Sequence, residues 1–250
     1  MTSKKHSLEL AVQDIDGART ALRFGATRIE LCGALGVGGL TPSIGAVEQA
    51  VEAAQLAGAA DFVHVLVRPR PGGFVYTADE VDTSIRDIRA VRAAGAAGVV
   101  IGALTASGLV DKAVTAELIA AAEGMQVTFH RAIDAVESPL QTADVLVGLG
   151  LSRVLTSGGA ARSIDGIQTL AALKAHVGDR LQIMAGGGVR VEDIGALLAV
   201  GLDAVHLSAK TTVADPSPSG PGGGAQSYDR TDADIAAAAA AAVMAATLEP

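Results

Sequence analysis

The sequence predicts a single-domain (β/α)₈ barrel of the TIM-barrel type with an extra C-terminal helix. Three observations carry that prediction. Eight short apolar runs, 8–12, 28–31, 62–67, 98–101, 126–130, 153–156, 182–185 and 204–207, punctuate 250 residues, about the usual length of one such barrel. Nearly every run is apolar or β-branched and ends in polar or Gly-rich residues, as suits parallel strands covered by helices. A phrase of helix, glycine, short turn and strand also recurs, as in Phe24-Gly25-Ala26-Thr27-Arg28-Ile29 and Val200-Gly201-Leu202-Asp203-Ala204-Val205. Repeated βα units of this kind favour a closed barrel over an open doubly wound sheet. No G-x-G-x-x-G follows the first strand, which argues against a dinucleotide site.

The helices follow from spacing and end signals. Residues 14–24 carry Ile15, Ala18, Leu22 and Ala26 at helical intervals. Residues 43–56 open on Ser43, and 77–94 open on Thr77 with Glu80 three positions on, a capping box. Residues 163–177 and 191–200 repeat the pattern. Gly25, Gly58, Gly95, Gly150, Gly178 and Gly201 each stand where a helix should end. The barrel is expected over 1–212, followed by a Pro/Gly/Ser-rich loop over 213–228 and an Ala-rich helix over 229–250 capped by Asp229 or Thr231.

Composition removes several functions. Aromatics are 2% of the chain and Trp is absent, so Ala, Val, Leu and Ile must build the core. The net charge of −8, with 19 Lys and Arg spread thinly, gives no basic face for nucleic acid or an anionic membrane. The run 1–7 is polar and the next apolar stretch is short and acidic, unlike a signal peptide, so a cytoplasmic protein is expected. One cysteine, Cys32, allows no internal disulfide.

Barrel chemistry gathers at the C-terminal strand ends, so those ends supply the candidates. They are Glu9 on the first strand, Glu30 and Cys32 on the second, and His64, Arg68 and Arg70 on the third. His130, Arg131 and Asp134 follow the fifth strand, Met184 lies on the seventh, and His206 and Lys210 mark the eighth. Period-two alternation puts Glu30 on the face of Cys32, and His64 on that of Arg68. Buried charges are costly unless paired or functional, so these inward faces point to a pocket. Asp14 and Asp16 read as helix-start residues, and His6 and His176 as surface residues. The turns at Ser157-Gly158 and Gly187-Gly188, with Lys210, suggest an anion seat, because glycine lets backbone N–H groups approach an oxyanion.

Two readings stay open. Glu30 or His130 could be a general base, with Arg68 and Arg131 holding a carboxylate or oxyanion and Glu9 and Asp134 setting histidine charge. The substrate would be a small anionic or phosphorylated metabolite. No strand carries a lysine, so Schiff-base chemistry is disfavoured. The other reading is a metal site at Cys32, a soft ligand if ionised and otherwise a small buried hydrophobe.

Arg28-Ile29-Glu30-Leu31-Cys32, Gly38-Gly39-Leu40-Thr41-Pro42-Ser43, His64-Val65-Leu66-Val67-Arg68-Pro69-Arg70 with Phe74, Thr128-Phe129-His130-Arg131-Ala132 with Asp134, Leu155-Thr156-Ser157-Gly158 and Gly186-Gly187-Gly188-Val189 closely resemble the CutC copper homeostasis family. The resemblance spans 8–209. It implies a cytoplasmic TIM barrel, a homo-oligomer linked to copper tolerance. Carried onto this chain, it implies Cu(I) at Cys32, assisted by Met184, His64 or His206.

Overall fold

In the computed structural model, which describes residues 6–217 and 226–248, eight parallel strands close into a barrel in chain order. They are β1 (Ser7–Val12), β2 (Arg28–Leu31), β3 (Val63–Leu66), β4 (Gly98–Ile101), β5 (Gln126–Phe129), β6 (Arg153–Thr156), β7 (Gln182–Gly186) and β8 (Ala204–Leu207). β8 returns to β1 through Glu9 opposite His206. The helices between them are α1 (Ile15–Arg23), α2 (Ile44–Leu56), α3 (Ala78–Ala93), α4 (Lys112–Ala122), α5 (Pro139–Gly148), α6 (Ile167–Val177) and α7 (Ile194–Ala199). This is the (β/α)₈ barrel expected.

Local chemistry explains the element ends. Asp14 and Ser43 cap α1 and α2 by accepting from Gly17 N and Ala46 N. Thr77 and Glu80 form the expected capping box at α3. Two helices add to those read from periodicity. α4 starts where Asp111 accepts from Val114 N, and its run of alanines shows little contrast between faces. α5 starts on Pro139, whose missing N–H costs nothing at a first helical position. The expected 163–177 helix begins only at Ile167, and 191–200 divides into a single 3₁₀ turn and α7.

Alternation along each strand separates two environments. Leu8, Leu10 and Val12, then Ile29 and Leu31, Val63 and Val65, Val99 and Ile101, and Val127 and Phe129 join one apolar cluster with the helices. Burying each such side chain contributes on the order of 1.5–3 kcal/mol. Their neighbours Glu9, Arg28, Glu30, His64, Thr128 and Arg153 are also buried, but face the lumen.

The expected extra C-terminal helix is present, but strand pairing precedes it within the stretch read as loop. Lys210–Ala214 (β9) and Ser227–Thr231 (β10) pair as an antiparallel ribbon, with Thr212 opposite Asp229. The helix α8 (Ala233–Leu248) is capped by Asp232, which accepts from Asp234 N and Ile235 N, and not by Asp229 or Thr231. Asp229 instead binds Lys210 and Thr212 within the ribbon. α8 buries Ala236, Ala239 and Val243 against the barrel. Pro218, Pro221 and Gly222–Gly224 of the expected loop lie outside the described residues, as does 1–5. Among the described residues no helix is long and apolar enough to cross a membrane.

Candidate functional site

Sheet register builds a file of charge through the lumen. Glu9 lies opposite Arg28 on one side and His206 on the other. Its carboxylate accepts from Arg28 Nε and, at 2.7 Å, pairs with His206 Nδ1. Arg28 Nη2 donates to Thr128 Oγ1 at 3.1 Å. His206 Nε2 stands 3.9 Å from Glu30 Oε2, to which the Cys32 thiol donates at 3.4 Å.

The titrations follow from these neighbours. Burial raises the Glu9 carboxyl, but Arg28 and His206 outweigh it and hold it down to about 2. For Glu30 burial prevails and its carboxyl is pushed up. Burial and then the Glu30 carboxylate push the Cys32 thiol well up. Burial opposes charge on His206, yet Glu9 and Glu30 override it and raise its affinity for a proton. His206 therefore holds a proton more tightly than a free imidazole, with Nδ1 paired to Glu9 and Nε2 toward Glu30.

Above this file lies a cavity of about 250 Å³ at the barrel mouth. Glu30, Arg68, Phe74, His130, Arg131 and His206 are among the residues that line it. Arg68 is fixed by donating from Nη1 to Gly39 O at 3.0 Å and from Nη2 to Gly72 O at 2.7 Å, and its Cζ sits 5.4 Å from the Phe74 ring centre. His130 packs 4.7 Å from Phe74, ring centre to ring centre, and its Nδ1 accepts from Ala132 N at 3.2 Å. Burial, helped by Arg68, lowers the His130 imidazole to about 3, so it is neutral. Arg131 donates to Asp134 at 2.8 Å and to Ser157 Oγ at 3.1 Å. Its guanidinium lies against Gly187, where φ is +121° and a Cβ would stand 2.8 Å from Arg131 Cζ; only glycine suits that place.

The turn after β6 is already filled. Asp134 accepts from Thr156 Oγ1, Ser157 N, Ser157 Oγ, Gly159 N and Arg131 Nε. The protein's own carboxylate thus occupies the turn at Ser157 and Gly158. Gly187 and Gly188 do line the mouth, whereas Lys210 is held in the ribbon by Asp229.

The structure thus brings Glu30, Arg68, His130, Arg131 and His206 to one cavity, with Glu9 beneath it. It does not gather the donors implied for Cu(I). Cys32 is buried against Leu66 and Val100, and its proton goes to Glu30. Met184 packs with Leu155 and Ala204. His64 reaches back to Asp61 O at 3.3 Å, and burial lowers it to about 4. Among the described residues no three His, Cys, Asp or Glu side chains are placed to hold a metal ion. The residues present do not fit a soft-metal site. Strand-end reading passed over Arg28; its signal was an arginine inside an apolar run at the parity of Glu30.

Comparison with known proteins agrees with this architecture. The model of the CutC family matches residues 6–211. The chain is 39% identical over 204 residues to a family protein CutC of Glaesserella parasuis, covering 81% of this chain and 82% of that one. It is 44% identical over 191 residues to a family protein CutC of Agrobacterium fabrum, covering 76% and 74%. The crystal structure of CutC from Streptococcus agalactiae, named as a candidate copper homeostasis protein, superposes with a TM-score of 0.77 at 29% identity, over 81% of this chain and 98% of that one.

Proposed function

The chain belongs to the CutC family, whose name ties it to copper homeostasis; from the mouth's geometry alone we propose that it also binds a small anionic metabolite and carries out acid/base chemistry on it. One observation carries the reading. A single cavity is lined by proton-holding groups, Glu30 and His206, together with Arg68, His130 and Arg131. A carboxyl whose proton affinity is raised by burial keeps a proton that an ordinary carboxyl gives up, which suits a general acid. The guanidiniums and the His130 N–H would take up charge that develops on a substrate oxygen. Glu9 would act through His206, fixing its orientation and charge.

The test is a melting-temperature screen with small carboxylates and phosphate esters. A ligand at a hundred times its Kd stabilises the fold by about 2.7 kcal/mol. Glu30→Gln and His130→Asn are expected to stay folded and to lose the turnover of any ligand so found. A broad anionic panel that leaves the melting temperature unmoved would remove the reading's support.

Copper enters through the family's association with copper homeostasis, and the side chains here speak against Cys32 as a Cu(I) ligand. A thiol held protonated by burial and Glu30 must lose its proton before it can bind a soft ion. An anaerobic Cu(I) titration is therefore expected to give equal affinity for the wild type and Cys32→Ser. A tenfold loss on substitution would establish Cys32 as the ligand.

A further inference from the structure

We infer that the ligand of the mouth presents an acceptor-only oxygen, that of a carboxylate or 2-oxo acid, to two N–H donors, His130 Nε2 and Arg68 Nε. The inference rests on the anion-binding reading above and adds the chemical class and the contact atoms. His130 Nδ1 accepts from Ala132 N at 3.2 Å, so in the neutral ring the proton sits on Nε2. That Nε2 is buried and has no hydrogen-bond partner. Arg68 Nε is likewise buried and without a partner. Arg68's other N–H groups go to the backbone oxygens of Val37, Gly39 and Gly72, none of which carries charge.

His130 and Arg68 both line the mouth cavity, and each packs against the Phe74 ring. A buried donor left unmade costs free energy, and few such donors persist in folded proteins unless something completes them. Two such donors on residues that line one cavity bias its polarity toward acceptor groups. An ammonium or another N–H group finds no partner there, whereas a carboxylate or carbonyl oxygen satisfies both donors. The neutral His130 contributes a hydrogen bond and Arg68 the countercharge. That combination polarises a carbonyl without giving up a proton to it, leaving proton transfer to Glu30 and His206.

The probe is oxalate, whose oxygens are all acceptors at neutral pH. Calorimetric titration is expected to show one oxalate per chain in the wild type, with affinity at least tenfold weaker in His130→Leu. His130→Gln, which retains a side-chain N–H, should recover part of that loss. Nitrogen-15 NMR of the wild type should show His130 protonated at Nε2 alone, a readout that needs no variant to fold. No oxalate binding at millimolar concentration, unchanged affinity in His130→Leu, or a proton on Nδ1 would each overturn the inference. A phosphate ester that stabilises the wild type and His130→Leu equally would overturn it too, while leaving the anion-binding reading in place.

Discussion

Glu9→Gln is expected to destabilise the barrel by about 3–5 kcal/mol, the usual cost of stripping one partner from a buried ion pair. Glu9 is fully buried and is the shared carboxylate of Arg28 and His206. Glutamine keeps the shape and removes the charge. His206 can respond by releasing its proton, but Arg28 stays charged, because a guanidinium does not deprotonate in proteins. A buried cation without its counterion then remains in the lumen. For a chain of this size the melting temperature should fall by on the order of 10 °C. Glu9→Gln/Arg28→Met, which removes both charges, should recover part of the loss. Urea unfolding of the three proteins decides the matter. A loss below about 1 kcal/mol in Glu9→Gln would mean that the lumen is wetter than its burial indicates.

Acid should act on the same interior through two histidines. His64 and His130 titrate near 4 and 3 in the fold, against 6.5 when free, because burial disfavours their charged forms. Between pH 6.5 and 4 the unfolded chain binds protons at these sites that the native chain refuses. Stability must therefore fall as pH falls through that window, by about 1.4 kcal/mol per pH unit for each histidine. Two groups work in the opposite direction. His206 and Glu30 bind protons more tightly in the fold than free. The His206 contribution is complete below 6.5, whereas Glu30 offsets part of the loss within the window. Glu9, held near 2, keeps its full contribution until pH drops below 4.5. The clean quantity is the difference between wild type and His130→Gln. Urea unfolding at pH 6.5, 5.5 and 4.5 should give the variant a slope shallower by about one proton. Parallel slopes would mean that His130 is protonated in the native state.

Most of the scaffold was legible because strand and helix signals did not compete. Runs such as 98–101 and 204–207 are mostly apolar, short and flanked by turn residues, and they emerged with those bounds. Parity also told the truth: Glu30 and Cys32 share a face, and the thiol donates to that carboxyl. What stayed hidden depended on partners distant in the chain or on backbone atoms. Nothing local distinguishes Lys210 as a ribbon residue, since its partner Asp229 lies beyond the Pro/Gly-rich stretch. Asp134 looked like a residue that sets histidine charge, but it is held by Thr156 Oγ1 and by N–H groups of residues 157 and 159, which only tertiary structure delivers. The His130 tautomer is set by the amide of Ala132, and no side-chain pattern announces it. α4 was missed because alanine-rich faces blur the period on which helix detection relies.

The alternation that sends Leu10 outward and Glu9 inward has an evolutionary consequence. Side chains that glue the sheet to its helices are not the ones that face a ligand. Selection can therefore rewrite one set of residues while the other preserves the architecture, much as a lock's tumblers are recut inside an unchanged housing. Kin of this chain with different specificities would then diverge first at lumen-facing positions such as 9, 28, 30 and 206, and last at the outward-facing positions beside them.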